Sequence, residues 1–324
     1  MILQYLDFEK PIIDLENRLE QLRRIDDGID KNLREEISKL DKKIGKIRKE
    51  VFSNLTRWQI VQLARHPNRP YMLDYVNHCF KNFLEIHGDR AFRDDPPVVC
   101  GFAELEGEKV MIIGQQKGRN TTEKIYRNFG MANPEGYRKA LRAMKLAEKF
   151  RLPVITFIDT PGAFPGIGAE ERGQSEAIAR NLLEMARLRT PILVAVLGEG
   201  GSGGALALGL GDEILMMEYA IYSVISPEGC ASILWRDTAR METAAEMMKI
   251  TAIDLKKFGV VDRIVPEPLG GAHRDHKAAA DTLKVAMVEA LSALRALSLT
   301  QLLDRRYAKY RDIGQIKRKA GSSG

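Results

Sequence analysis

One stretch, Gly198-Glu199-Gly200-Gly201-Ser202-Gly203-Gly204-Ala205-Leu206-Ala207-Leu208, constrains this chain more than any other. It follows the apolar run Pro191-Ile192-Leu193-Val194-Ala195-Val196-Leu197, which reads as a buried strand of a mainly parallel sheet. It then enters Ala205-Leu206-Ala207-Leu208, the start of an apolar helix. A strand, a glycine-rich turn and a helix start leave several backbone N–H groups without intrahelical partners. Glycines let a ligand approach such a backbone closely. Free donors at the positive end of a helix stabilise a phosphate or a developing oxyanion. No Lys-Ser/Thr pair closes the stretch as in a phosphate loop. The competing structural reading is a tight turn with close helix–strand packing.

At 324 residues the chain can bury a substantial core, as one large α/β domain or two smaller ones. A net charge of +6 suits a polyphosphorylated small molecule, an acidic partner or nucleic acid, and does not choose among them. No zinc-finger spacing, basic zipper or aromatic RNA-binding strand supports the nucleic-acid reading. Cys79, Cys100 and Cys230 are far apart, so neither a disulfide framework nor a zinc site made by this chain alone is expected. The five histidines, His66, His78, His87, His273 and His276, form no ligand set with nearby cysteines or carboxylates. No apolar run approaches twenty residues and the first residues lack a basic start with a long apolar centre, so a cytoplasmic protein is expected. Ala320-Gly321-Ser322-Ser323-Gly324 reads as a flexible tail.

Residues 1–50 carry a helical pattern. Leu15, Leu19, Leu22, Ile25 and Ile29 recur at helical spacing, and Leu33, Ile37, Leu40, Ile44, Ile47 and Val51 follow in four-three steps. Asp26-Asp27-Gly28 separates the runs, which predicts an antiparallel helical hairpin. Residues 54–95 read as helical and loop-rich. From about 98 strands and helices alternate: a hairpin of 98–103 and 109–114 around Glu106-Gly107, a helix from Pro134 to about Phe150, and a strand at 154–158. A helix at 170–189, strands at 192–197, 213–217, 220–226 and 260–265, and a helix at 275–298 complete the pattern. That alternation makes an α/β fold, with ligand sites at the carboxyl ends of strands. The two glycine-rich loops, after Ile158 and after Leu197, both fall at such ends.

Side-chain catalysts are hard to find. Gly200-Gly201-Ser202-Gly203-Gly204 formally matches a nucleophile elbow, yet only His273 and His276, in a Gly/Pro-rich loop, could serve as its base. Asp159 and Glu170-Glu171 could act as acid or base, but a strand-end Asp more often forms a turn and acids in a first helical turn are ordinary. A reaction that brings its own base needs mainly an anion stabilised. Enolate chemistry on a thioester has that character, and fixed N–H groups lower its barrier by several kcal/mol without titrating.

The chain resembles the alpha subunit of the bacterial carboxyltransferase of acetyl-CoA carboxylase over roughly residues 1–317. The residues that carry the resemblance are Gln116-Lys117-Gly118-Arg119, Asn128-Phe129-Gly130-Met131, Pro134 to Ala140, Asp159 to Gln174, Gly198 to Leu208, Ser226 to Trp235 and Pro266 to His273. The family usually has His where this chain has Gln115, which weakens a proton-donor role there and leaves a positioning one. The resemblance implies a crotonase-like superhelix of β-β-α units with an N-terminal helical hairpin. Residues 1–95 would be a helical region for subunit contact, 96–317 the carboxyltransferase domain and 318–324 a tail. It implies α2β2 assembly with a beta subunit that carries a four-cysteine zinc ribbon, alongside biotin carboxyl carrier protein and biotin carboxylase. No metal or covalently bound cofactor is expected on this chain.

The reaction so implied moves carboxylate from carboxybiotin on the carrier protein to acetyl-CoA, giving malonyl-CoA for fatty-acid synthesis. Carboxybiotin would lose CO2, backbone N–H groups among Gly203, Gly204 and Ala205 would hold the ureido oxygen, and the ureido nitrogen would take the acetyl proton. Gly162, Ala163, Phe164, Gly166, Gly200, Gly201 and Ser202 would line the biotin side, with Lys117 and Arg119 toward its anionic groups. Trp235 reads as core or interface. Two other readings stand beside this one: a self-contained crotonase-type acyl-CoA hydratase or hydrolase, and a nucleic-acid-binding protein using Arg295, Arg305, Arg306, Lys309, Arg311, Lys317, Arg318 and Lys319.

Overall fold

The amino-terminal apolar pattern folds back on itself. In this computed structural model, which describes residues 5–26 and 30–314, α1 (Lys10–Ile25) and α2 (Lys31–Ser53) pack against each other. The Glu16–Arg48 and Arg23–Asp41 ion pairs run in opposite order along the two helices, so the hairpin is antiparallel as expected. Asp30 caps α2 by accepting from the N–H groups of Asn32 and Leu33. Ile12, Leu19, Ile44 and Phe52 are buried in one cluster with Leu63 and Tyr219 of the main body, while Leu15, Leu22, Leu33, Ile37 and Leu40 stay half-buried. Asp27, Gly28, Ile29, Lys317 and the 318–324 tail lie outside the described residues.

Two short helices, α3 (Arg57–Ala64) and α4 (Met72–Cys79), lead into an eight-stranded sheet. Its strands are β1 (Lys81–Ile86), β2 (Val98–Leu105), β3 (Glu108–Gln115), β4 (Val154–Thr160), β5 (Ile192–Gly201), β6 (Glu213–Met217), β7 (Ile221–Ser223) and β8 (Arg263–Val265). The order is β1-β2-β3-β4-β5-β6-β8, with β7 paired to the far end of β5. The first three strands pair antiparallel and all later pairs are parallel. Glu106 and Gly107 have φ +48° and +82°, the left-handed pair that a two-residue hairpin turn requires.

The crossovers carry the helices. α5 (Thr121–Tyr126) and α6 (Pro134–Phe150) join β3 to β4; α7 (Ile167–Glu171) and α8 (Gln174–Arg187) join β4 to β5; α9 (Ser202–Gly209) joins β5 to β6. α10 (Pro227–Trp235), α11 (Met241–Met248) and α12 (Ala252–Lys257) lie between β7 and β8, and α13 (His276–Arg295) and α14 (Leu299–Asp312) close the chain. The central strands are buried on both faces, which is why they read as continuous apolar runs.

Three readings change. The sheet begins at Lys81, inside the span read as helical, and α4 shares the main core, so that core reaches back well before residue 96. Asn82 at φ +53° and a register break between Lys81 and Leu84 hide the strand's alternation. The helix expected at 170–189 breaks into α7 and α8 at Gly173, where φ is +82°. Gly198 to Gly201 continue β5 rather than forming a turn.

α14 is locked to the sheet by a fully buried Arg306. Its guanidinium donates to both carboxylate oxygens of Asp212, at 2.8 and 2.7 Å, and to the carbonyls of Met185, Leu188 and Thr190. Asp212 in turn accepts from the Ile192 N–H at 2.7 Å, at the start of β5. This arginine is therefore no part of a nucleic-acid face; Lys309 is likewise paired with Asp262 and Arg295 with Glu108. Arg306→Met leaves the Asp212 carboxylate buried without its counter-charge, and removing one partner of such a pair costs about 3–5 kcal/mol. The expected result is a lower urea midpoint with an unchanged slope.

Candidate active site

Both glycine-rich segments lie where expected, at the carboxyl ends of adjacent parallel strands, β4 and β5. β5 turns into α9 at Ser202, whose φ of +48° puts a non-glycine residue in the left-handed region. The N–H groups of Ser202, Gly203 and Gly204 precede the first complete turn of α9, and the N-cap, Gly201, has no side chain to occupy them. The Gly201 carbonyl takes the first intrahelical bond, from Ala205. That leaves the N–H groups of Ser202, Gly203 and Gly204 without intrahelical partners at this helix start.

The two strand ends touch through bare backbone. A Cβ on Gly201 would lie 2.2 Å from the Pro161 carbonyl oxygen, and one on Gly204 would lie 2.5 Å from the Gly162 carbonyl carbon and 2.7 Å from the Ala163 nitrogen. A Cβ on Gly200 would enter the Tyr222 ring, and one on Gly198 would sit 2.8 Å from Asp159 Oδ1. A Cβ on Gly162, by contrast, would meet nothing within 4 Å. The open side of the junction is therefore over Gly162. The 160–166 loop is tied down from below: Thr160 Oγ1 accepts from the Gly162 N–H, Phe164 N donates to the Ala132 carbonyl, and Gln174 Nε2 donates to the carbonyls of Ala132 and Phe164. A Cβ on Gly166 would collide with the Phe164 ring. Gln115, fully buried at the end of β3, donates to the Gly204 carbonyl at 2.9 Å and accepts from the Asp159 N–H at 3.2 Å. In sequence, Gln115 stands out only as the neighbour of Gln116-Lys117-Gly118-Arg119.

A chain of charges backs these strand ends. Lys117 Nζ lies 2.8 Å from both Asp159 Oδ1 and Glu199 Oε2. Arg65, at the end of α3, bridges Glu199 and Glu228, and the Glu199 N–H donates to Asp159 Oδ1 at 3.0 Å. Burial alone would lower the Lys117 pKa, but the Asp159 and Glu199 carboxylates outweigh it and raise the value. Burial alone would raise Glu199, but Lys117 and Arg65 hold it below the ordinary carboxylate range. Arg119 donates to the carbonyls of Pro67 and Arg69, pairs with Asp74 and lies 4.1 Å over the Tyr71 ring. Both cations expected to face anionic substrate groups thus have partners within this chain.

The other candidates are spoken for. His273 Nε2 meets Glu9 at 3.2 Å while its ring stacks on His66 with centroids 4.1 Å apart, and His276 Nε2 meets the Asn68 carbonyl at 2.6 Å. Neither stands as a base beside Ser202. Glu9, His66 and His273 lie close enough to share a cation, but Arg274 also leans on Glu9 at 3.5 Å. Asp159 is a structural acceptor, and Glu170 lies in the first turn of α7. Trp235, half-buried at the end of α10, lies under the Arg240 guanidinium. A cavity of ≈330 Å³ lined by Leu182, Leu206, Tyr222 and Leu255 reaches Ser202 but neither Gly203 nor Gly204. What remains at the strand ends is main-chain N–H, suited to holding an oxyanion.

Because the folded Glu199 pKa is depressed, its contribution to stability is complete above the ordinary carboxylate pKa of about 4.3 and is lost only as pH falls through the lower folded value. In Lys117→Met, burial acts with only Arg65 opposing it, so the acid edge of the stability curve moves to higher pH. Thermal melts across pH 3–7 would read that shift, and coincident edges would refute the electrostatic assignment.

The model of the family described as acetyl co-enzyme A carboxylase carboxyltransferase-like matches residues 5–314. The acetyl-coenzyme A carboxylase carboxyl transferase subunit alpha of Syntrophotalea carbinolica is 59% identical over 97% of this chain and 99% of its own. That of Geobacter metallireducens is 59% identical over 98% and 99%. Among solved structures, transcarboxylase 12S aligns with a TM-score of 0.54 and 19% identity over 78% of this chain and 43% of its own. The Pseudomonas malonate decarboxylase MdcD–MdcE hetero-dimer aligns at 0.55 and 18%, over 66% and 88%. The near-complete matches in sequence, together with a fold shared with carboxyltransferases, assign this chain to the family of acetyl-CoA carboxylase carboxyltransferase alpha subunits.

Proposed function

We propose that this chain works as the biotin-side half of a carboxyltransferase that moves a carboxyl group from carboxybiotin to acetyl-CoA, giving malonyl-CoA. The observation that carries the reading is the bare helix start at Gly203 and Gly204, whose N–H groups have no intrahelical partner, next to open space over Gly162. Negative charge grows on the ureido oxygen as the carboxyl group leaves, and two fixed N–H dipoles stabilise it without a proton changing hands. The ureido nitrogen, relieved of its carboxyl group, is basic enough to take the acetyl proton, so the missing side-chain base is no defect. The 162–166 loop forms the opposite wall. Lys117 and Arg119, engaged with Asp159, Glu199 and Asp74, act by holding that wall and its neighbours in place.

A site open on one side calls for a second chain. We assign that side to a zinc-bearing beta subunit in an α2β2 assembly, served in the cytoplasm by biotin carboxyl carrier protein and biotin carboxylase. No single described helix is long and apolar enough to cross a membrane. The half-buried stripe of α1 and α2 supports their use as a subunit contact. A self-contained hydratase or hydrolase would want an acid or a histidine at Ser202, and neither His273 nor His276 is placed there.

Three variants test this reading in a malonyl-CoA assay with and without the beta subunit. Activity should require both chains. Gly204→Val drives a side chain into the 162–163 backbone and should cost about 10²-fold or more in kcat, as losing an oxyanion donor does. Ser202→Gly removes the hydroxyl and suits φ +48°, so it should keep the wild-type order of kcat, whereas a nucleophilic serine would lose everything. Deleting residues 1–50 should weaken assembly with the beta subunit. A complex of unchanged elution volume, corrected for mass, would remove the hairpin from the contact.

A further inference from the structure

Gln115 joins the site from a third strand. Its Nε2 donates to the Gly204 carbonyl at 2.9 Å, on the first turn of α9, and its Oε1 accepts from the Asp159 N–H at 3.2 Å, near the end of β4. The orientation of the amide is fixed by its partners, since a carbonyl can only accept and an N–H can only donate. The side chain is fully buried, so either group left alone would be an unpaired polar atom away from water. One uncharged group therefore ties the start of α9 to the strand end that feeds the 160–166 loop.

We infer that Gln115 is a positioning residue of the oxyanion site, a clamp that must both donate and accept while staying neutral. The inference rests on the carboxyltransferase reading above. Holding the Gly204 carbonyl fixes the rotation of the first turn of α9, and with it the direction of the Gly203 and Gly204 N–H groups. Holding the Asp159 N–H fixes how far the Gly162 wall stands from those donors. Few side chains meet the requirement. Asparagine is one methylene short, a carboxylate cannot donate, and leucine can do neither. A neutral imidazole can do both, through one protonated and one bare nitrogen. Once protonated it has two donors and sets one against the Asp159 N–H. The ionisable groups around this bridge are Asp159 itself on β4, Glu199 on β5, Lys117 after β3, Arg65 and Arg69 from the segment after α3, and the phenols of Tyr71 and Tyr75 at α4, which burial holds neutral. Lys117, Asp159, Glu199 and Arg65 are paired among themselves, and Arg69 is paired with Glu267, so the clamp itself carries no charge.

The test uses the chain reconstituted with its beta subunit, with free biotin and malonyl-CoA as substrates for the reverse reaction. Gln115→Leu should lower kcat by about 10²-fold, the scale of a misplaced catalytic group, with KM for malonyl-CoA unchanged. Gln115→His should regain most of that loss at pH 8 and show an acid limb, absent from the wild type, at or below the ordinary imidazole pKa of about 6.5, because burial and the facing Asp159 N–H disfavour the imidazolium. Amide hydrogen exchange on the isolated chain should be faster at Asp159 in Gln115→Leu. A Gln115→Leu enzyme with wild-type kcat, a Gln115→His profile that superimposes on the wild type, or unchanged exchange at Asp159 overturns the clamp. Should Gln115→Leu fail to fold, the Gln115→His profile decides alone. An inactive wild-type complex would overturn the carboxyltransferase reading instead, and the exchange measurement would still judge the clamp.

Discussion

Everything at the site depends on two stretches of backbone touching without side chains between them. The ends of β4 and β5 approach so closely that a single methyl on Gly201 or Gly204 would overlap the atoms of 161–163. Such an approach brings the first turn of α9 up against the 162 loop, so that N–H groups and wall share one small space. It also explains why β5 runs on to Gly201 although its sequence reads as a turn from Gly198. Glycine usually weakens a strand. Here β4 on one side and β7 on the other take up its hydrogen bonds, and the missing side chains are what let both neighbours in.

A contact made of bare backbone has little dispersion or hydrophobic burial of its own, so something else must hold it. The structure uses charge below and a neutral amide across. Asp159, at the end of β4, accepts from the Glu199 N–H of β5 and from Lys117, and Glu199 passes the link to Arg65 and Glu228. Arg69 extends it, donating to the Leu197 carbonyl and pairing with buried Glu267. The segment between α3 and α4 is thus pinned to the same strand end. Buried networks of this kind are worth having only when every member is satisfied, and the members named here all are. Their role is to fix geometry, which is why Lys117 is unavailable as a free cation.

The sequence made the skeleton of the fold plain because the relevant signals are local. Pro134 opens α6, Glu106-Gly107 makes the hairpin turn, and the apolar runs at 154 and 192 can only be strands covered on both faces. The expectation of an anion site among Gly203, Gly204 and Ala205 rests on the same local logic. Signals that depend on distant residues were not readable. β1 has no fully buried side chain and a distorted start, so it lacks the alternation that would betray a strand. Lys117 and Arg119 look like surface cations in sequence because their carboxylate partners are 42, 82 and 45 residues away. Gln115 could not be read as a bridge, since its two partners lie 89 and 44 positions off and are both main-chain atoms.

Ser202 separates the shape of a catalytic turn from its chemistry. A serine in the left-handed region between a strand and a helix, flanked by glycines, is the backbone of a nucleophile elbow, and here it has that backbone without the chemistry. The difference lies in what surrounds it. The downstream histidines are committed to Glu9 and the Asn68 carbonyl, and the acids near the turn are committed to Lys117 and Arg65. The same sharp turn that would push a hydroxyl forward also leaves the following N–H groups without intrahelical partners, and such donors need no base to act. The turn therefore keeps its geometric function when the nucleophile's function is absent.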